Sequence, residues 1–250
     1  GDRNVAVGAF AGTNIDSATG NVLVGANSGD ALAGGSYNIA IGYHALSAED
    51  GHGKNVAIGY RALQDQNAGA DAYNIAIGHD TGKEITTGVQ NTIIGAEAGD
   101  ALTTGNHNVA IGFRALSDED TGSNSLAIGY YALNKQNNDS NNYNIAIGHS
   151  AGLEITTGTN NVLLGGLAGG NLVGGSHNVA IGTQALYTED GHGKNVAVGF
   201  ESLKVQDAGS DAYNVAIGYQ SGKAVTTGVG NTIMGGAAAD ALTTGSYNIA

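Results

Sequence analysis

The sequence predicts an all-β chain that folds as a parallel β-solenoid, or β-roll, of about 15 coils. A pentapeptide of the form Asn-Val-Ala-Ile-Gly recurs in three 17-residue steps followed by one 19-residue step, and this pattern repeats to the end of the chain. Within it, apolar residues alternate with the period of two that marks a strand. Gly makes up 43 of the 250 residues and Pro is absent, as expected for short strands joined by tight turns. A fixed period of this length is the signature of a repeat architecture.

The pentads divide the chain into coils. They begin at Asn4, Asn21, Asn38, Asn55, Asn74, Asn91, Asn108, Ser125, Asn144, Asn161, Asn178, Asn195, Asn214, Asn231 and Asn248. Every four coils form a 70-residue super-repeat, so the whole chain is predicted to be one repeat domain, 1–250, with super-repeats 4–73, 74–143, 144–213 and a partial 214–250. Neither end carries an atypical capping coil, and we therefore expect a segment of a longer fibrous protein.

Each coil is numbered from its first residue. Positions 2 and 4, such as Val5 and Val7, are aliphatic and are predicted to share one face that points into the core. Position 3, usually Ala as in Ala6, then faces outward, where a flat strip of small residues would suit close packing by another chain. Position 5 is Gly in every complete coil, which predicts a bend with positive φ or a close backbone approach.

One further large apolar residue per coil comes from one of two places. Six coils have Leu at position 9, namely Leu46, Leu63, Leu116, Leu133, Leu186 and Leu203. The other eight complete coils carry an aliphatic residue at position 12 instead, namely Ile15, Leu32, Ile85, Leu102, Ile155, Leu172, Val225 and Leu242. This compensation predicts one internal slot that is filled from two backbone positions.

Position 1 is Asn in every coil but the one that begins at Ser125. Coils stacked about 4.8 Å apart would let the Asn side chains form an amide ladder and satisfy backbone groups of the turns. The two extra residues of each 19-residue coil, as in the segment 64–73, are predicted to form loops on one face, where solenoids often bind partners.

Composition excludes several classes of function. The chain has 9 Lys plus Arg against 22 Asp plus Glu, a net charge of −13, which disfavours binding to nucleic acid or to anionic membranes. Its apolar runs are too short to insert into a bilayer. There is no Cys and no nucleophile-elbow motif, and we expect neither an enzyme nor a cofactor.

Three groups of residues carry candidate chemistry. The equivalent residues His79 and His149 are interchangeable with an aromatic residue in later coils, which favours packing over metal binding. Acidic pairs such as Glu49-Asp50 and Glu189-Asp190 could bind Ca²⁺ but match no calcium motif, so solvated loop charge is the preferred interpretation. Gly51-His52-Gly53-Lys54 lacks the spacing of a phosphate loop.

Aromatic and Thr residues suggest ligand contacts. The candidate contact residues are Tyr43, Tyr60, Phe113, Tyr130, Phe200 and Tyr219. Their rings could stack on sugars, although a stack that seals the corner of each coil is the favoured interpretation. Thr-Thr-Gly turns such as 86–88 raise ice binding as an alternative, but adjacent Thr side chains of an extended segment point to opposite sides.

The pentad with its half-coil of small residues resembles the head repeat of YadA-type trimeric autotransporter adhesins. The 17-residue form with Ala57 to Leu63 is similar to repeats of bacteriophage tail fibres. This resemblance implies a left-handed β-roll, three chains packed side by side, and a location outside the cell or on a cell or virion surface.

We therefore expect a structural or adhesive fibre segment, about 70 Å long at one rung per coil. It would act as a rigid spacer that touches a host-surface receptor or glycan. Two alternatives stay open: a monomeric solenoid that binds a regular ligand such as polysaccharide or ice, and a subunit of a self-assembling extracellular filament with end-to-end contacts.

Overall fold

The computed structural model describes residues 1–250 and consists of short strands joined by turns and loops. Fourteen strands, each with three residues and one per coil, stack in parallel, which confirms the predicted β-solenoid. The fifteenth pentad adds only an isolated bridge between Thr232 and Ile249. The structure contains no helix with the length and apolarity needed to cross a membrane.

The chain divides into two compact units, Gly1–Asn124 and Ser125–Ala250. The first contains β1 Val5–Val7, β2 Val22–Val24, β3 Ile39–Ile41, β4 Val56–Ile58, β5 Ile75–Ile77, β6 Thr92–Ile94 and β7 Val109–Ile111. The second contains β8 Leu126–Ile128, β9 Ile145–Ile147, β10 Val162–Leu164, β11 Val179–Ile181, β12 Val196–Val198, β13 Val215–Ile217 and β14 Thr232–Met234.

Within each unit the strands follow chain order and keep one register. Val22 lies opposite Val5 in the first unit, and Val179 lies opposite Val162 in the second. Equivalent pentad positions therefore stack directly on one another, and each forms a column.

The strand faces are oriented opposite to the prediction. Position 3 is fully buried in every strand after the first, whether it is small like Ala40 or large like Leu23. Positions 2 and 4 are at least partly exposed in every strand, with 37% of Ile39 and 36% of Ile77 accessible. The predicted outward Ala strip is thus wrong. A period of two says only that the two faces of a strand differ, and it does not say which face points inward.

The shared internal slot is confirmed. Leu46 at position 9 and Leu32 at position 12 are both fully buried. A Cβ placed on Gly29, at position 9 of the latter coil, would lie 2.7 Å from the Leu32 Cδ1 atom. The two positions supply the same space, so a coil can fill it from only one of them.

The Gly column at position 5 brings adjacent coils into close backbone contact. Gly59 has a φ of 143°, and a Cβ there would lie 2.0 Å from the carbonyl oxygen of Gly78 in the next coil. Both the conformation and the contact exclude a side chain, as predicted.

Candidate functional site

An exposed apolar feature runs along the outer surface of the strands. We define the aliphatic face as the side chains at the first and last positions of each strand, within each unit. Most are Val or Ile, and Thr92, Thr232 and Met234 are the main exceptions. None is buried, and Val7 is 58% accessible. A contiguous apolar patch of this kind marks an interaction surface in a soluble protein.

Aromatic side chains at position 6 stack on one another beside the pentads. The Tyr43 and Tyr60 ring centroids are 5.5 Å apart with an interplanar angle of 13°, and Tyr60 stacks on His79 at 4.9 Å. In the second unit Tyr130 stacks on His149 at 5.2 Å, and Phe200 on Tyr219 at 5.4 Å. Stacking therefore covers at least one face of each of these rings, although Tyr43 and Tyr219 at the ends of their stacks remain 46% and 59% accessible.

Two of the predicted contact rings are also in contact with an Arg guanidinium group. Arg61 lies over Tyr60 with its Cζ atom 4.8 Å from the ring centroid, and Arg114 lies over Phe113 at 5.5 Å. Such cation–π contacts further reduce the ring area that a ligand could use. The predicted aromatic contact residues thus pack against neighbouring side chains within each unit and stay partly accessible.

The Asn residues at position 1 form a ladder that joins side chain to main chain. The backbone N–H of Asn38 donates to Oδ1 of Asn21 at 2.7 Å, and this contact repeats from coil to coil. Asn21 Nδ2 donates to the carbonyl oxygen of Gly35, in the same coil, at 2.8 Å. Direct amide-to-amide bonds occur in some coils, as between Asn161 Nδ2 and Asn144 Oδ1 at 3.1 Å.

Sequence reasoning missed a second amide that serves the ladder. The 19-residue coils have a buried Gln at position 12: Gln66, Gln136 and Gln206. Each accepts a hydrogen bond from the Asn that opens the next coil, as Gln66 Oε1 does from Asn74 Nδ2 at 2.6 Å. The signal was present, because all three 19-residue coils carry Gln at this position.

The inserted loops of the 19-residue coils are exposed, and a Lys of the preceding coil binds two of them. Lys54 Nζ lies 2.5 Å from Asp71 Oδ2 and donates to the Tyr73 hydroxyl at 3.0 Å. Lys194 makes the same contacts with Asp211 and Tyr213 in the second unit. This feature holds each of these loops against its neighbouring coil.

The acidic pairs are not simply solvated. Glu49, Glu119 and Glu189 are fully buried, which corrects the preferred interpretation of these residues. Each accepts the backbone N–H three positions later, with Oε1 to nitrogen distances of 3.0 Å to His52, 2.7 Å to Gly122 and 3.3 Å to His192. Burial raises the pKa of Glu189 to about 7 and also raises the pKa of Glu49.

Comparison of the chain with protein-family models gave no match, and comparison with curated proteins gave no significant match. The likeness to adhesin heads and tail fibres therefore rests on the pentads themselves.

Proposed function

We propose that this chain is a segment of an extracellular structural or adhesive fibre, exposed on a cell or virion, in which copies of the chain pack through the aliphatic face. The observation that carries the proposal is that face, with two aliphatic columns pointing outward from the strands. The role is mechanical rather than catalytic, and the inserted loops are the surfaces offered to a receptor or glycan.

The energetics favour coverage of the face by a flat apolar partner. Each Val or Ile that is about a third exposed offers on the order of 50 Å², worth about 1 kcal/mol when it is removed from water. The first unit alone presents six Val or Ile side chains of this face that are at least 36% accessible, and its remaining Val and Ile side chains on this face are partly exposed. Their sum is comparable to or larger than the roughly 4–15 kcal/mol lost in association. A second and third copy of the chain supply a surface with the same repeat, so their columns match along the whole contact.

Molar mass by light scattering on a sizing column tests this proposal. We expect three times the 24.8 kDa of one chain. The double variant Ile75→Lys/Ile77→Lys places two charges on the aliphatic face and should lower the mass toward that of one chain. Thr87→Lys adds a charge on an exposed turn instead and should leave the mass unchanged. A native chain that stays monomeric at high concentration contradicts the proposal, and mass that grows without limit indicates end-to-end filaments.

The same observation supports a second candidate function. The face presents equivalent side chains in every coil at a constant spacing of about 4.8 Å, which suits a regular ligand such as polysaccharide or ice. For a monomer, thermal hysteresis or pull-down on insoluble polysaccharide would then separate the native chain from the same Ile75→Lys/Ile77→Lys variant.

A further inference from the structure

A cluster of potential metal ligands lies where two coils of the second unit meet. Glu189, Asp190 and His192 belong to one coil and Asp207 to the next. One ligand atom from each of the four side chains lies within 4.8 Å of all the others. Glu189 is fully buried and its partners are at least partly exposed, so the cluster lies at the surface with a buried floor.

Two buried atoms of this cluster have no hydrogen-bond partner. They are Oε2 of Glu189 and Nδ1 of His192. The His192 Nδ1 atom is 3.8 Å from Oε1 of the same carboxylate, too far for a hydrogen bond. A buried polar atom without a hydrogen-bond partner destabilises the folded chain. Two such atoms in one cluster of ligand groups indicate that a bound ion completes their interactions.

The same arrangement occurs independently in the first unit. Glu49, Asp50 and His52 again place their ligand atoms within 4.8 Å of one another. The Oε2 atom of Glu49 and the Nδ1 atom of His52 are again buried without a partner. His52 Nδ1 lies 4.0 Å from Glu49 Oε1. Recurrence of the same unpaired atoms two super-repeats apart in the sequence makes an accidental side-chain placement a poor explanation.

We propose that each of these two clusters binds a divalent transition-metal ion of the Zn²⁺ class. One imidazole nitrogen combined with carboxylate oxygens suits such an ion better than Ca²⁺ or Mg²⁺, which take oxygen ligands. Zinc binds nitrogen and oxygen at about 2.0–2.2 Å in tetrahedral geometry, so two ligands of one ion lie about 3.4 Å apart. The His Nδ1 to Glu Oε1 separations of 3.8 and 4.0 Å are a few tenths of an ångström longer, a gap that a small rotation of the partly exposed His side chain closes. The exposed Asp side chains can rotate inward to complete the coordination sphere.

The two sites differ in one ligand. Asn67 occupies in the first unit the place that Asp207 occupies in the second. An amide oxygen carries no net charge and binds a divalent cation more weakly than a carboxylate. The second site therefore binds the ion more tightly, and there the ion links adjacent coils through Asp207.

Metal titration of the chelator-stripped chain tests the proposal. Binding of Co²⁺ is measured by its visible absorption, and binding of Zn²⁺ is measured by calorimetry. The native chain should bind two ions. His52→Ala and His192→Ala should each remove one site, and the double variant should remove both. Glu84→Gln removes an exposed carboxylate elsewhere and should leave both sites intact.

The ligand difference offers a test that does not depend on loss of a site. Asp207→Asn should weaken the second site by about tenfold or more, and Asn67→Asp should strengthen the first by a similar factor. Circular dichroism of each variant, recorded without metal, confirms that the solenoid is retained. Absence of Co²⁺ and Zn²⁺ binding to the native chain would overturn the proposal, as would unchanged stoichiometry in the double His variant.

Discussion

At the residue scale, the ladder explains why one coil opens with Ser125. In 17-residue coils the Asn amide reaches a carbonyl further along its own coil, as Asn21 reaches Gly35, but two inserted residues displace that carbonyl in the 19-residue coils. Asn55 and Asn195, which open such coils, consequently have a buried Nδ2 without a partner. Ser125 opens the remaining 19-residue coil, and its hydroxyl accepts a hydrogen bond from Gln136 Nε2 at 2.8 Å.

This difference predicts unequal effects of one substitution at two Asn positions. Asn161 Nδ2 donates to Gly175 O at 2.9 Å and to Asn144 Oδ1, whereas Asn195 Nδ2 donates to nothing. We expect Asn161→Ser to reduce the free energy of unfolding by about 1–2 kcal/mol more than Asn195→Ser does. Denaturant unfolding of the two variants measures the difference, and equal losses would contradict this account of Ser125.

At the element scale, packing in the shared internal slot determines whether a coil has its large apolar residue at position 9 or at position 12. Position 9 adopts a left-handed conformation both where it is Leu and where it is Gly, with a φ of 49° at Leu63 and 60° at Gly152. Backbone conformation therefore does not distinguish the two coil types. The choice depends on which residues fill the slot, because a Cβ on Gly152 would lie 3.0 Å from Ile155 Cδ1 and 2.8 and 2.9 Å from Leu163 Cδ1 and Leu133 Cδ2 of the neighbouring coils.

A double-mutant cycle tests this rule. Gly152→Leu alone should destabilise by overpacking, and Ile155→Ala alone should leave a cavity, at a cost of roughly 1–3 and 2–5 kcal/mol respectively. The double variant supplies the Leu from position 9 and removes the competing side chain. We therefore expect its loss of stability to be smaller than the sum of the single losses by about 1 kcal/mol or more. Additive losses, measured by denaturant unfolding, would show that the two side chains do not share one slot.

The sequence allowed the coil boundaries, the strands and the shared slot to be predicted, because each leaves a periodic or compensating pattern. It did not reveal which strand face is inside. Ala40 and Ile39 alternate in the same way whichever one points inward, and only the curvature of the complete coil decides. Buried Glu49 was also missed, because an acid beside Asp50 and Gly51 resembles a solvated turn until the backbone amide of His52 is placed against it.

At the scale of the whole molecule, acidity opposes folding at neutral pH. The net charge of −13 creates self-repulsion. In addition, burial raises the pKa of Asp100 to about 6 from its ordinary value of 3.8. The unfolded chain releases this proton near pH 3.8 and the folded chain near pH 6, so the stability that Asp100 contributes is lost as pH rises through that interval.

We therefore expect the unfolding temperature to be higher at pH 5 than at pH 7.5, and added salt to raise it at pH 7.5 by screening the net charge. Hydrogen bonds from Lys204, Lys223 and Gln220 hold the pKa of Glu201 at about 2, so its ion pairs persist at pH 5. Asp100→Asn should reduce the dependence between pH 4 and 6 while the salt effect remains, and the raised pKa of Glu189, about 7, accounts for the dependence that is left. An unfolding temperature that falls on acidification to pH 5 would refute this.

The uniform register between coils has a consequence for how such a chain changes over generations. Every strand presents the same bonding pattern to the strand before it and the strand after it, so a coil is an interchangeable part. Unequal recombination within the gene that removes or duplicates one 70-residue block would leave every ladder, slot and Gly column aligned. A one-residue deletion would shift every later residue of its coil out of its column. The number of 70-residue blocks can therefore vary freely in this protein, whereas the number of residues within a coil cannot.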